Sequence, residues 1–145
     1  MNILILNWKD LKHPQAGGAE FVTESAAREW VKTGHQVTLF CAAVDGAPER
    51  EVVERVEIIR RGSRFTVYWQ AYQYWKTEGW QRHELVIDEI NTVPFFTPLY
   101  VHRPARWVPY LNQLAREIWF QQMPFPLSLI GYLLEPLYLK FYQSK

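Results

Sequence analysis

Short runs of consecutive apolar residues alternate in this chain with segments whose apolar residues recur every three or four positions. Ile3 to Leu6 is such a run, and Val37 to Phe40 is the next. Between them lies a loop containing Ala16-Gly17-Gly18-Ala19-Glu20, followed by a helical segment closed by Gly34. In that segment Ala19, Val22, Ala26 and Trp30 share one face at helical spacing and predict the side packed on a sheet. Glu20, Glu24, Arg28 and Lys32 run down another face, acid first and base last, which suits the helix dipole. The reading is a solvated stripe with a Glu24–Arg28 pair.

Val37-Thr38-Leu39-Phe40-Cys41 has the continuous β-prone character of a strand buried on both faces, and Asp45-Gly46-Ala47-Pro48 breaks it. Arg55 to Arg60 alternates polar and apolar residues and predicts an exposed or edge strand, closed by Gly62. A helix is predicted over residues 65–77, with Phe65, Tyr68, Trp69, Tyr72 and Trp75 forming a core or interface stripe. Leu85-Val86-Ile87 predicts a short buried strand that runs out into Asp88-Glu89-Ile90-Asn91. Ligands of parallel sheets gather outside the carboxyl ends of strands, which gives those polar residues a position that matters. Val93 to Tyr100 suits a short proline-started helix, and Arg106 to Leu111 a last strand despite Pro109. Asn112-Gln113 follows, then a helical Leu114 to Gln121 and a helix from Pro126 to Tyr142 interrupted near Pro136. Together these elements predict an α/β, Rossmann-like three-layer domain with a mostly parallel sheet.

At 145 residues, 48% of them apolar, the chain suits one domain over residues 1–145. A net charge of +1 gives no reason to expect a polyanion as the main partner, and no nucleic acid is expected. Arg60-Arg61 with Arg64 reads as a solvated strand end. The single cysteine, Cys41, ends an apolar strand and reads as a buried structural thiol suited to a reducing cytoplasm. Asn7-Trp8-Lys9-Asp10 interrupts the first apolar run too early for a signal peptide. Aromatic residues make up 16% of the chain and crowd into residues 65–80 and 119–142. Met123 to Leu139 is strongly apolar, but Pro124, Pro126, Gly131, Glu135 and Pro136 interrupt it too often for a membrane span. Such a segment can still lie on a bilayer.

No metal site is written in the sequence: His13, His35, His83 and His102 are isolated. There is neither a Walker A sequence nor a GxSxG elbow. Gly17-Gly18 lacks the GxGxxG spacing, and no acidic residue follows Cys41-Ala42-Ala43 to hold a ribose, which argues against a dinucleotide-dependent oxidoreductase. A glycine pair before a helix serves either an approaching ligand phosphate or tight helix packing.

Asn7-Trp8-Lys9-Asp10, His13-Pro14, Ala16-Gly17-Gly18-Ala19-Glu20 and Gly34-His35-Gln36-Val37-Thr38-Leu39-Phe40 resemble the amino-terminal half of glycosyltransferase family four. So do Ile87-Asp88-Glu89-Ile90-Asn91-Thr92-Val93-Pro94-Phe95-Phe96, Gln113-Leu114-Ala115-Arg116-Glu117 and Pro124 to Tyr138, so the likeness covers nearly the whole chain. The resemblance implies the GT-B architecture, two facing Rossmann-like domains with the active site between them. This chain would be the acceptor-side domain of a retaining, metal-independent hexosyltransferase of glycan biosynthesis. Its donor, a nucleotide-sugar, is a substrate, and no cofactor is expected. Gly17 and Gly18 would meet the donor diphosphate through backbone amides, with Glu20 capping the loop. Asp88, Glu89, Asn91 and Asn112 complete the expected substrate-binding set, and no catalytic residue is assigned. The expected partners are a sugar or lipid-linked acceptor and a donor-binding domain or separate subunit. The expected location is the cytoplasm or the inner face of the membrane.

Two departures from the family pattern carry consequences. The sequence stops at Lys145, about where the family's chain leaves its first domain, so little transferase activity is expected of it alone. Relatives often place His where this chain has Asn112, which keeps a donor and an acceptor but has no titratable proton. The alternative expectation is a non-catalytic module that binds a partner subunit or membrane surface through Phe125 to Tyr142. Under the transferase reading, the aromatic-rich residues 119–142 are instead expected to form part of the surface facing the second domain.

Overall fold

The computed structural model of the chain describes residues 1–112, 116 and 118–143. Its strands are β1 (Asn2–Leu6), β2 (Gln36–Cys41), β3 (Arg50–Val53), β4 (Val56–Arg60), β5 (Leu85–Ile90) and β6 (Arg106–Leu111). They form one sheet in the order β3-β4-β2-β1-β5-β6, parallel throughout except for the β3–β4 pair. Helix α1 (Gly18–Lys32) covers one face. Helix α2 (Val67–Tyr74) covers the other, running through a π-turn at Trp75–Gly79 into the short α3 (Trp80–Arg82). A 3₁₀ turn (Thr97–Leu99), α4 (Ile118–Gln122) and α5 (Leu127–Gln143) complete the domain.

Strand pleat explains the two cores, because successive side chains point to opposite faces. Ile3, Ile5, Val37, Leu39, Cys41, Val56 and Ile58 meet Ala27 and Val31 of α1. Leu4, Leu6, Phe40, Ile59 and Val86 meet Val67, Ala71, Tyr74 and Trp75. Each fully buried large side chain contributes roughly 1.5–3 kcal/mol. Cys41 is fully buried, and burial pushes its thiol well above the usual range.

The structure corrects four local expectations. Residues 56–60 form an interior strand: β3 pairs outside them, joined by a two-residue turn at Glu54 and Arg55 with φ of 49° and 70°. That geometry normally selects Asn or Gly, so the hairpin had no sequence signal. Helix α1 packs on the sheet through Thr23, Ala27 and Val31, one position round from the predicted face, and leaves Phe21 and Val22 exposed. Its acids Glu20 and Glu24 are buried rather than solvated, because each caps a loop amide. The expected Glu24–Arg28 contact is present at 3.6 Å. In α2 the buried stripe is Val67, Ala71, Tyr74 and Trp75, whereas Phe65 and Trp69 face outward. Of the predicted helix over 114–121, residues 118–121 are helical within α4, while Gln113, Leu114, Ala115 and Glu117 lie outside the described residues.

Helix α5 continues through Pro136 and buries Ser128, Gly131, Glu135 and Tyr142 along one side. Glu135 accepts hydrogen bonds from the Arg116 amide (2.7 Å) and the Trp119 indole (3.2 Å). Leu129, Ile130, Leu133, Leu134 and Leu137 stay exposed. Among the described residues no helix is long and apolar enough to cross a membrane.

Candidate functional site

The chain leaves β1 for β2 on one side of the sheet and later returns to place β5 on the other. The gap beyond the carboxyl ends of β1 and β5 is therefore the topological switch point, where open α/β sheets bind ligands. A cavity of about 420 Å³ opens there, lined by Trp8 and Lys9 after β1, Gly17 and Gly18 at the start of α1, and Asn91, Thr92 and Asn112 after β5 and β6. A larger groove, about 1100 Å³, runs outside edge strand β6 past His102, Arg103 and Trp107. It shares no lining residue with the first and lies away from the switch point, so the smaller cavity is the stronger candidate.

Gly17 and Gly18 are exposed, with the turn facing the cavity. Neither has positive φ, and a Cβ added at Gly18 would meet nothing within 4 Å. The fold itself therefore does not demand glycine there, and tight helix packing is not its reason. Missing side chains leave room for something from outside the domain. The Gly17 amide already donates to Glu20 Oε2 at 2.7 Å, which makes Glu20 the cap of α1. The amides of Gly18 and Ala19, in the first turn, have no intrahelical acceptor and carry the positive end of the dipole. Lys9 Nζ stands 3.4 Å from Glu20 and donates to the Gln15 carbonyl at 2.8 Å, tying the loop to the helix start.

Three strand ends are joined by amide side chains. Asn112 donates to Asn91 Oδ1 (2.8 Å), and Asn91 donates to Asn7 Oδ1 (2.9 Å). The row stretches across β6, β5 and β1, and its members Asn91 and Asn112 line the cavity. Asn7 Nδ2, Glu20 Oε1 and Glu89 Oε2 are buried with no protein partner.

Asp88 and Glu89 diverge because neighbouring strand residues face opposite sides of the sheet. Asp88, fully buried, accepts from the Phe95 and Thr97 amides at 2.9 and 3.1 Å and from the Thr97 and Tyr142 hydroxyls. It pins the 95–97 loop and the end of α5, and it does not reach the cavity. Desolvation raises its pKa against the pull of those donors. Glu89 turns toward α1 and accepts from Thr23 Oγ1 at 2.6 Å. Desolvation raises its pKa to about 7, and the Glu20 charge adds to the rise. It too lies behind the cavity wall, leaving Gly17, Gly18, Glu20, Asn91 and Asn112 of the expected set around the opening.

The long loop before α1 is anchored from behind by a buried ion pair. Arg60 at the end of β4 donates through Nε to Asp10 Oδ2 at 2.8 Å and through Nη1 to the Pro48 carbonyl at 3.1 Å. Glu24 accepts the Leu11 amide at 2.9 Å. Sequence reasoning assigned no site role to Asn7, Trp8, Lys9 or Thr92. Their signal was position, since Asn7 to Lys9 directly follow β1 as Asn91 and Thr92 follow β5. Among the described residues no group of three or more His, Cys, Asp or Glu is placed to hold a metal ion.

The family model of Glycosyltransferase Family 4 matches residues 16–121, a span that holds the glycine turn, Asp88 to Asn91 and Asn112. This chain belongs to glycosyltransferase family 4. Among solved structures, the family 4 domain matches sucrose-phosphate synthase from Thermosynechococcus elongatus with a TM-score of 0.63 over 92% of its length. At 14% identity that likeness concerns the fold, which is that of a GT-B glycosyltransferase domain. The chain spans 39% of that protein's length. No curated protein matches it.

Proposed function

We propose that this family 4 domain is the acceptor-side half of a retaining hexosyltransferase that takes its sugar from a nucleotide-sugar. The observation that carries the reading is the open turn at Gly17-Gly18, whose glycines the fold itself does not require. A donor diphosphate laid on that turn meets the Gly18 and Ala19 amides and the α1 dipole without a side chain in the way. Asn91 and Asn112 offer donors and acceptors to sugar hydroxyls from the opposite wall. Glu20 and Lys9 hold the turn in shape. Asn112 cannot exchange a proton at neutral pH, so its part is binding and orientation.

Transfer requires donor and acceptor held together, and this domain supplies one wall of that arrangement. Alone it binds without turning over; a second, donor-binding domain or subunit completes it. The setting that suits this is glycan biosynthesis in the cytoplasm or at the inner membrane face. Incubation with radiolabelled nucleotide-sugars and sugar or lipid acceptors tests the dependence. The chain alone is expected to give no product, with transfer appearing once it is fused to a family donor-binding domain. Robust turnover by the 145 residues alone overturns it.

A second reading, a non-catalytic module docking through its carboxyl-terminal helices, draws on the exposed row Leu129, Ile130, Leu133, Leu134 and Leu137 of α5. An apolar helix face left in water belongs under cover. Flotation with anionic liposomes tests its membrane form, which fails if the chain stays at the bottom of the gradient.

A further inference from the structure

Beside the glycine turn stands a cluster of cations arranged on one indole. Lys9 Nζ lies 4.8 Å and Arg64 Cζ 5.3 Å from the Trp8 ring centre, and His13 meets the same ring edge-on at 5.0 Å. Charges on this rim are otherwise matched: Lys9 is paired with Glu20, and Arg60 with Asp10 and Glu51. Arg64 has no carboxylate partner among the described residues, only the rings of Trp8 and, at 6.0 Å, Phe65.

The fold places Arg64 there deliberately tightly. Gly62 has φ +77°, and a Cβ on it would come within 2.8 Å of Thr66 Oγ1 and 3.1 Å of the Val67 amide nitrogen. Only glycine lets the chain fold back after β4, which brings Arg64 and Phe65 to the start of α2. The first turn of α2 carries no acidic residue, so its dipole adds to the local positive potential. His13 Nδ1 accepts the Gln15 amide at 3.1 Å, which leaves the proton of the neutral ring on Nε2, available as a donor. Phe65 exposes 71% of its surface next to Arg64.

We propose that Arg64, with His13 and Lys9 around Trp8, holds a phosphoryl group carried by the acceptor, and that Phe65 covers the adjoining apolar face of that acceptor. A guanidinium matches phosphate oxygens in a forked, two-bond geometry, and Trp8 fixes the fork in place. Trp8 and Lys9 also line the glycine-turn cavity, so the bound phosphoryl sits beside the place given to the donor. This substrate class rests on the transferase reading above. The phosphoryl belongs either to a soluble sugar phosphate or to a lipid headgroup, and both present the same chemistry to Arg64.

The test is an NMR titration of the full chain with glucose 6-phosphate, with glucose, and with uridine diphosphate. A parallel arm measures sedimentation with phosphatidylglycerol-containing vesicles. Glucose 6-phosphate is expected to move the Trp8 indole and Arg64 side-chain N–H signals, while glucose leaves them unmoved. Arg64→Gln is expected to weaken that binding by at least about tenfold, and Arg64→Lys by less. Arg103→Gln, beyond the site, is the control for general charge and should bind normally. Arg64-dependent vesicle binding without glucose 6-phosphate binding supports the proposal and assigns the phosphoryl to a lipid. The proposal is overturned if neither phosphate-bearing probe acts through Arg64, or if Arg64→Gln binds as well as the parent. Uridine diphosphate separates the two levels. Where neither phosphate-bearing probe acts through Arg64, uridine diphosphate shifts at Gly18 and Ala19 leave the transferase reading standing while the acceptor assignment falls.

Discussion

The two rims of this sheet are built from the same strands and finished in opposite ways. At the amino rim polar and charged groups lie near water and close on one another: the Asn2 amide with Glu84 (2.7 Å) and Arg82 with Glu57 (2.7 Å). At the carboxyl rim the polar groups are buried, and Asn7 Nδ2, Asp10 Oδ1, Glu20 Oε1 and Glu89 Oε2 have no partner within the chain. Burying a polar atom without a partner costs stability; of these residues Glu20 belongs to the cavity wall and Asn7 to the amide row beside it, whereas Asp10 and Glu89 lie behind the wall. The amino rim has its own buried group, His83, whose Nε2 meets the Tyr74 hydroxyl at 2.9 Å and whose Nδ1 has no partner within the chain.

The largest difference between the rims should appear on removing one arginine from each. Arg60→Leu leaves Asp10 buried and uncompensated and should cost about 3–5 kcal/mol in urea unfolding. Arg82→Ala breaks an exposed pair and should cost less than about 1 kcal/mol. Equal losses would erase the contrast.

Titration sharpens it next, because the two rims should respond to pH with opposite sign. Glu89 has its pKa raised to about 7 from 4.5, so between those values the folded chain keeps a proton that the unfolded chain has released. Stability therefore falls as pH rises through that window, by up to about 3 kcal/mol, and Glu89→Gln removes the fall. Desolvation lowers His83 from 6.5 to about 4, so there the unfolded chain binds the proton first. Its contribution is complete above 6.5 and is lost as pH drops toward 4, and His83→Gln should flatten that acid limb. Unfolding curves at a series of pH values, read for each variant separately, check both slopes.

A smaller effect tests whether the carboxyl-terminal helices belong to the site. In Gly131→Ala the new Cβ would lie 2.3 Å from the Trp119 ring, which must move. The variant should lose about 1–3 kcal/mol while the amide signals of Gly18 and Ala19 keep their positions. Movement of those signals would show that α4 and α5 shape the turn.

Much of the architecture could be read from spacing, and the misreadings share a cause. Strands β1, β2 and β6 and helix α1 announced themselves by apolar runs, Gly34 and proline placement, and β5 through its first half. The β3–β4 hairpin did not, since Glu54 and Arg55 make a turn that other residues usually make. The buried face of α1 was displaced because Val22 looks like core and instead stands exposed in the cavity lining. At the site, the glycine turn was visible as a motif. The Asn7–Asn91–Asn112 row was not, because its members lie far apart in sequence and meet only when β1, β5 and β6 align. Nor does the sequence separate Asp88 from Glu89; the pleat decides which of them staples a loop and which faces α1.

The central claim, that unshielded main-chain N–H groups at the start of α1 receive a diphosphate, has a direct measurement. Inorganic pyrophosphate titrated into the labelled chain should shift the Gly18 and Ala19 amide resonances with a dissociation constant of about 1 mM or tighter. Gly18→Val, whose Cβ meets nothing within 4 Å, should fold normally and abolish the shifts. Resonances of the turn that stay fixed while others move, or a valine variant that binds unchanged, would contradict the account.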